Sequence, residues 1–87
     1  MKRVLIFSYL ESTIDLINIV GKYAEVIGVI LPISRIKDID QSVYDFLKEK
    51  KINSYTQYYS TDSKSEELAR NLKNINVDLI VTYSYPM

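Results

Sequence analysis

The residues best suited to chemistry lie in two short segments, each following a run of apolar residues. Ser8, Tyr9, Leu10, Glu11 and Ser12 come after the apolar run 4–7, and an aromatic-rich segment at 83–87 comes after the apolar run 79–81. Hydroxyl and backbone N–H groups placed just before a helix can bind an anion. The first segment contains no glycine, so it forms neither a G-x-G-x-x-G dinucleotide loop nor a Walker-type phosphate loop.

The composition excludes several other kinds of chemistry. The 87 residues include no cysteine and no histidine, so thiolate catalysis, disulfides and the usual metal ligand and general base near neutral pH are absent. Eleven basic side chains balance eleven acidic ones, which gives no basic face for nucleic acid. The apolar run at the amino terminus is too short for a signal peptide or a membrane span. These features predict a cytoplasmic protein.

Short apolar runs alternate along the chain with segments of helical periodicity. The apolar runs 4–7, 26–31 and 79–81 have strand length, and residues 52–55 form a weaker third strand. Three amphipathic segments lie between these four strands. Acceptor side chains near the helix starts predict caps: Ser12 with Asp15, then Asp40 or Ser42, then Ser63 with Glu66. Residues 33–39 are predicted to form a loop, and Asn74 or Asn76 to end the third helix in the left-handed conformation. Gly28, inside the second strand, predicts a close approach by a neighbour.

This order of elements predicts the α/β fold class: a three-layer, Rossmann-like open parallel sheet with the order β-α-β-α-β-α-β. Right-handed crossovers give the strand order 3-2-1-4, which is half of a doubly wound domain. Ligands of such sheets bind at the carboxyl ends of the strands where the order reverses, here between the first and fourth strands. The two segments described first would meet at this crevice.

Other polar and aromatic clusters have simpler explanations. Arg35 and Lys37 could reach a ligand carboxylate or phosphate, but a solvated loop is the commoner case. Tyrosines 55, 58 and 59 could stack on bases, but without a basic surround we expect them to pack at a sheet edge. A phosphorylation-type receiver domain would need an acidic pair after the first strand, where Glu11 stands alone.

The fourth strand carries the most specific motif. The segment 76–85, NVDLIVTYSY, resembles the "pDlivv…y" segment of the folate-dependent formyltransferase family, which includes methionyl-tRNA formyltransferase, glycinamide ribonucleotide transformylase and the sugar N-formyltransferases. The segments RVLIFSY at 3–9, EVIGVI at 25–30 and KINSY at 51–55 are similar to the family pattern in the same order. The resemblance covers essentially the whole chain.

The resemblance implies a transfer of a formyl group from N10-formyltetrahydrofolate to an amine or a tRNA-linked acceptor. Tyr85, Pro86 and Met87 would begin the folate-binding wall. The segment with Ser8, Tyr9 and Glu11 stands where the ribonucleotide branch has phosphate-binding glycines, and it would contribute to the acceptor site. The family's catalytic asparagine, histidine and aspartate occur beyond this segment, so no catalytic residue is transferred to this chain.

Residues 1–87 are therefore expected to form an incomplete amino-terminal formyltransferase-like domain that is inactive alone. A hydrophobic fourth strand at the sheet edge is an association liability, and we read its position at the terminus as a truncation. Two alternatives remain open. One is a stand-alone module that binds a small anionic ligand in the same crevice. The other is an interaction domain whose fourth strand pairs with another chain, including a second copy.

Overall fold

The computed structural model of the chain describes residues 1–59 and 64–83. Within these two ranges, four strands alternate with three α-helices and one 3-10 helix, and the order of strands and α-helices predicted from the sequence is confirmed. In chain order they are β1 (Lys2–Phe7), α1 (Ser12–Val20), β2 (Ala24–Pro32), the 3-10 helix (Ile33–Asp38), α2 (Gln41–Glu49), β3 (Asn53–Gln57), α3 (Lys64–Lys73) and β4 (Leu79–Thr82).

The strands form one parallel sheet in the order β3-β2-β1-β4, as predicted. The pairing of β1 with β2 shifts by one residue where Val4 lies opposite Val26 and Leu5 lies opposite Gly28. This bulge leaves Ile27 as the extra residue. Strand order reverses between β1 and β4, so the predicted crevice position exists in the fold.

The main core fills the space between the sheet and the pair α1 and α2. It consists of side chains from β1, β2, both helices and the segment before α2, namely Val4, Ile6, Ile17, Val29, Leu31, Ile39, Val43 and Leu47. Alternate residues of a strand face opposite sides of a sheet, which explains why Val4 and Ile6 share this core while Leu5 does not. The apolar stripes of α1 and α2 are thus buried against the central strands.

The opposite face of the sheet carries a smaller packed layer. Leu5 and Ile30 are fully buried there, and the ring of Tyr55 lies over Gly28. A Cβ atom on Gly28 would lie 2.8 Å from Tyr55 Cε2 and 3.0 Å from Leu5 Cδ2. The close approach predicted at Gly28 is therefore present. α3 crosses over this face to connect β3 with β4, and it packs on β3.

Two predictions about helix caps and loops are wrong. Glu11, rather than Ser12, occupies the N-cap position of α1, and no side chain caps that helix. Residues Ile33–Asp38 form a 3-10 helix where a loop was predicted. Arg35 pairs with Asp38 within this helix at 3.6 Å, an i,i+3 contact that suits one tight turn.

The helix end signals have mixed outcomes. Asp40 caps α2 as predicted, since its Oδ1 accepts a hydrogen bond from the backbone N–H of Ser42 at 2.8 Å. Neither Asn74 nor Asn76 is left-handed; among the described residues other than glycine, only Lys51 has a positive φ, 57°. Ser63, the cap predicted for the third helix, lies outside the described residues.

Candidate functional site at the carboxyl ends of the strands

The crevice is defined by the pairing of β1 with β4. Phe7 lies opposite Thr82 in the sheet, and the backbone N–H of Tyr83 donates to the Phe7 carbonyl at 3.0 Å. Ser8 and Tyr83, the residues that follow the two strands, therefore leave the sheet next to each other. The side chain of Tyr83 is 48% exposed at this position.

A second set of hydrogen bonds fixes β4 at its other end. The backbone N–H of Arg3 donates to Asp78 Oδ2 at 2.8 Å, and the Asp78 N–H donates to the Arg3 carbonyl at 2.8 Å. Asp78 is the acid of the motif at 76–85, and its side chain binds the backbone of β1. The carboxylate therefore helps to fix the register between β1 and β4. It lies at the end of these strands that is opposite the crevice.

Ser8 is buried at the base of the crevice. Its Oγ lies 2.6 Å from Oγ1 of Thr13, and both side chains are fully inaccessible to solvent. This hydrogen bond ties the end of β1 to the first turn of α1. The Ser8 side chain holds the loop in place, so its predicted contribution to binding would come through the position of the neighbouring residues. Thr13 was not identified from the sequence; the only available signal was a hydroxyl group on an apolar helix face.

Tyr9, Leu10 and Glu11 form the surface of this loop. Tyr9 is half-buried and packs against the main core, whereas Leu10 is 39% exposed. Glu11 is exposed and adopts helical backbone angles at the start of α1. Its carboxylate thus lies near the positive end of the helix dipole, where a negative charge is stabilised. The loop presents a mainly apolar and aromatic surface with one acid.

The remaining predicted site residues are not part of this described surface. Tyr85, Pro86 and Met87, the predicted start of the folate wall, lie outside the described residues. Arg35 and Lys37 are exposed in the 3-10 helix after β2, and Arg35 is engaged with Asp38. That arrangement fits a solvated segment.

The tyrosine cluster packs at the β3 edge. Tyr55 lies against Gly28, and Lys64 Nζ lies 5.2 Å from the centroid of the half-buried Tyr58 ring. Tyr59 is 61% exposed. The two half-buried rings therefore have packing partners, in keeping with a role at the sheet edge.

The part of the chain that the structure describes has neither a cluster of metal ligands nor a membrane-spanning helix. Residues 1–59 and 64–83 contain no group of three or more acidic, histidine or cysteine side chains that could hold a metal ion. Within the same ranges no helix is both long and apolar enough to cross a membrane.

Comparison with known proteins gave no family assignment. No protein-family model, no curated protein and no solved structure matches the chain. The assignment that the molecule itself supports is the fold, a four-stranded parallel α/β sheet of Rossmann-like order with its crevice between β1 and β4.

Proposed function

We propose that this chain is the amino-terminal part of a folate-dependent formyltransferase. The observation that carries the proposal is the adjacency of β1 and β4 at their carboxyl ends, where the Tyr83 N–H donates to the Phe7 carbonyl at 3.0 Å. This is the ligand-binding position of doubly wound sheets. The resemblance of segment 76–85 to the family motif supports the choice of ligand class, and the proposal places the protein in the cytoplasm.

The proposed donor is N10-formyltetrahydrofolate, bound at the β4 side of the crevice. A pterin is a planar ring, and the partly exposed Leu10 and Tyr83 offer it an apolar and an aromatic surface. In this proposal Tyr85, Pro86 and Met87 continue that wall. Tyr9 and Glu11 face the acceptor amine, with Ser8 fixing their loop through Thr13.

The described residues would bind and orient the formyl donor and the acceptor amine, and the transfer itself would need further groups. Formyl transfer passes through a tetrahedral intermediate, which requires a base for the amine and a donor for the oxyanion. The chain has no histidine, and the exposed Glu11 is the only acid in the loop after β1. In the proposal, the family's asparagine, histidine and aspartate supply these functions, and residues 1–87 alone transfer no formyl group.

The proposal is tested by titrating the ¹⁵N-labelled chain with 5-formyltetrahydrofolate, a stable isomer of the donor. We expect saturable amide shifts that are confined to residues 8–11 and 82–87, and weaker binding for Tyr83→Ala. Tyr23→Ala is the matched control, because Tyr23 is an even more exposed tyrosine, at 80%, in the turn before β2. Saturable shifts elsewhere, or no shift at these amides, would count against the donor site.

A second candidate function is strand pairing between two copies through β4. Leu79 and Ile80 are 53% and 57% exposed on this edge strand, and an uncovered apolar edge is a template for a further strand. Two β4 strands paired antiparallel would form one continuous eight-stranded sheet. The described part of β4 carries no charged side chain that would oppose this pairing.

Sedimentation equilibrium tests this candidate over a range of concentrations. Pairing predicts a monomer–dimer equilibrium that Ile80→Lys abolishes. Ile19→Lys is the matched control, since Ile19 is also 57% exposed but lies on α1. A wild-type chain that stays monomeric, or an equal loss of association in both variants, would reject pairing through β4.

A further inference from the structure

A cavity that is open to solvent lies at the amino ends of the strands, opposite the crevice. It has a volume of about 470 Å³ and is lined by Met1, the last turns of α1 and α2, the start of β2 and the segment before β3. Small-molecule pockets typically occupy about 300–1,000 Å³. The cavity is therefore large enough for a compact ligand, and it is separate from the site proposed for the folate donor.

The floor of this cavity is apolar. Ile17 is buried, and Val26, Phe46 and Ile52 are half-buried and pack against the main core. These carbon surfaces come from α1, β2, α2 and the segment before β3, which all contribute to the folded core. A hydrocarbon or aromatic group placed on the floor would remove apolar surface from water, which favours binding.

The rim of the cavity is polar and carries more positive than negative charge. Lys22 and Lys50 line it, together with the single acid Glu25. Neither lysine forms an ion pair within residues 1–59 and 64–83. Lys50 Nζ lies 5.8 Å from the centroid of the Phe46 ring, so one ammonium group already adjoins the aromatic part of the floor.

The helix ends limit how much negative charge the rim can accept. α1 and α2 both end beside the cavity, and the carboxyl end of a helix is the negative end of its dipole. These ends and Glu25 offset part of the charge of the two lysines. The balance favours a ligand with one anionic group and disfavours a polyphosphate.

We propose that this cavity is a binding site for a small amphipathic monoanion: an aromatic or short alkyl body on the apolar floor, with one carboxylate or sulfonate at Lys22 and Lys50. The body and the charge are recognised by different residues. Loss of either should weaken binding, and added salt should weaken it through the charged contact.

The probe for the test is 8-anilinonaphthalene-1-sulfonate, which combines an aromatic body with a single sulfonate. Its fluorescence gives the dissociation constant, and ¹⁵N amide shifts give the location. We expect one saturable site with shifts at residues 17–26 and 46–52. In the double variant Lys22→Glu/Lys50→Glu the dissociation constant should rise about tenfold, because two exposed charge contacts become repulsive.

The matched control is Lys37→Glu/Lys48→Glu, which makes the same change in net charge at two exposed lysines that do not line the cavity. We expect this control to change the dissociation constant by less than about twofold. An equal loss in the two double variants would show non-specific attraction and overturn the proposal. Absence of a saturable site, or shifts located at β4, would overturn it as well.

A filling variant tests the apolar floor independently. Asn18 lines the cavity from the exposed surface of α1, so Asn18→Trp places an indole over it without altering the core. We expect binding of the probe to be lost in this variant and retained in Asn18→Gln. Circular dichroism checks that each variant is folded. Undiminished binding in folded Asn18→Trp would overturn the proposal.

Discussion

The buried hydrogen bond between the Ser8 and Thr13 hydroxyl groups holds the loop after β1 in place. Thr13→Val keeps the side-chain shape but leaves the Ser8 hydroxyl without its partner at 2.6 Å. A buried polar group that loses its hydrogen bond typically costs about 1–3 kcal/mol, whereas replacing both partners can be nearly neutral. We therefore expect Thr13→Val to lower the free energy of unfolding by about 1–3 kcal/mol in urea titrations.

The double variant Ser8→Ala/Thr13→Val separates this contact from simple loss of packing. We expect its cost to be smaller than the sum of the two single costs, because neither hydroxyl then remains unpaired. Ser34→Ala, at an exposed serine of the 3-10 helix, serves as the control with little effect. Costs that add without any coupling would show that the hydrogen bond contributes little.

Gly28 makes a close contact with Tyr55 and Leu5 on the other face of the sheet. In Gly28→Ala the new methyl group would lie 2.8 Å from Tyr55 Cε2 and 3.0 Å from Leu5 Cδ2, so the Tyr55 ring must move. We expect a loss of about 1–3 kcal/mol in the free energy of unfolding, which is typical of overpacking. Adding Tyr55→Leu should recover part of it, relative to Tyr55→Leu alone. No recovery would place the strain at Leu5.

At this scale the sequence revealed positions better than partners. A glycine inside an apolar strand predicted a close approach. The side chain that makes this approach is the ring of Tyr55 on the neighbouring strand β3, which the pattern did not identify. Asp78 was identified within a strand motif, yet its hydrogen bond to Arg3 spans 75 positions of the chain. Contacts of this kind depend on strand register, which local patterns do not specify.

At the scale of elements, the cap of α2 predicts a dependence of stability on pH. The Ser42 hydroxyl and then the Ser42 backbone N–H lower the pKa of Asp40 below its ordinary value of 3.8. Only the N–H makes a hydrogen bond of full geometry; within the described part of the chain the hydroxyl oxygen has no hydrogen-bond partner. The ionised cap therefore stabilises the folded state above pH 3.8, and this contribution is lost as the pH falls through the lowered pKa.

The variant Asp40→Asn isolates this effect, because asparagine still caps a helix but does not titrate. We expect the wild type to have the higher Tm near neutral pH and the difference to shrink as the pH falls below 3.8. Glu49→Gln, at an exposed acid of the same helix, should show no such cap-dependent change. A Tm difference that stays constant through this pH range would exclude Asp40 as its cause.

The opposite end of α2 shows what element-level patterns leave out. The Ile52 N–H donates to the Leu47 carbonyl at 2.9 Å, and the Lys51 N–H donates to the Lys48 carbonyl at 3.2 Å. With Lys51 at φ 57°, this is the Schellman arrangement, which most often uses glycine at the left-handed position. The sequence has lysine there, so the usual signal is missing. Ile52, the next residue, is half-buried and packs against the main core.

At the scale of the molecule, the alternation of strands and helices was sufficient to predict the parallel sheet and its order 3-2-1-4. Right-handed crossovers leave few other arrangements for such a chain. The uneven cover of the two faces was not predictable in the same way. The helical spacing of Leu68 and Leu72 resembles that of the core residues of α1 and α2, yet both side chains are only half-buried in the folded protein.

This uneven cover predicts an order of local opening. α1 and α2 bury Ile17, Val43 and Leu47 in the main core, whereas no described side chain of α3 is fully buried. Segments with few buried apolar contacts open at lower free energy than the core. We therefore expect amide hydrogen exchange to be slowest at the centres of β1 and β2, and much faster throughout α3.

A single substitution distinguishes local opening of α3 from unfolding of the whole chain. Leu72→Ala removes one of the two half-buried leucines of α3, so it should accelerate exchange in α3 and leave the slowest amides of β1 nearly unchanged. The matched change Leu47→Ala, in the main core, should instead cost about 2–5 kcal/mol and accelerate exchange in all elements. If Leu72→Ala accelerated exchange equally in β1 and α3, α3 would be part of one cooperative unit with the core, and the smaller layer would be as essential to the fold as the larger one.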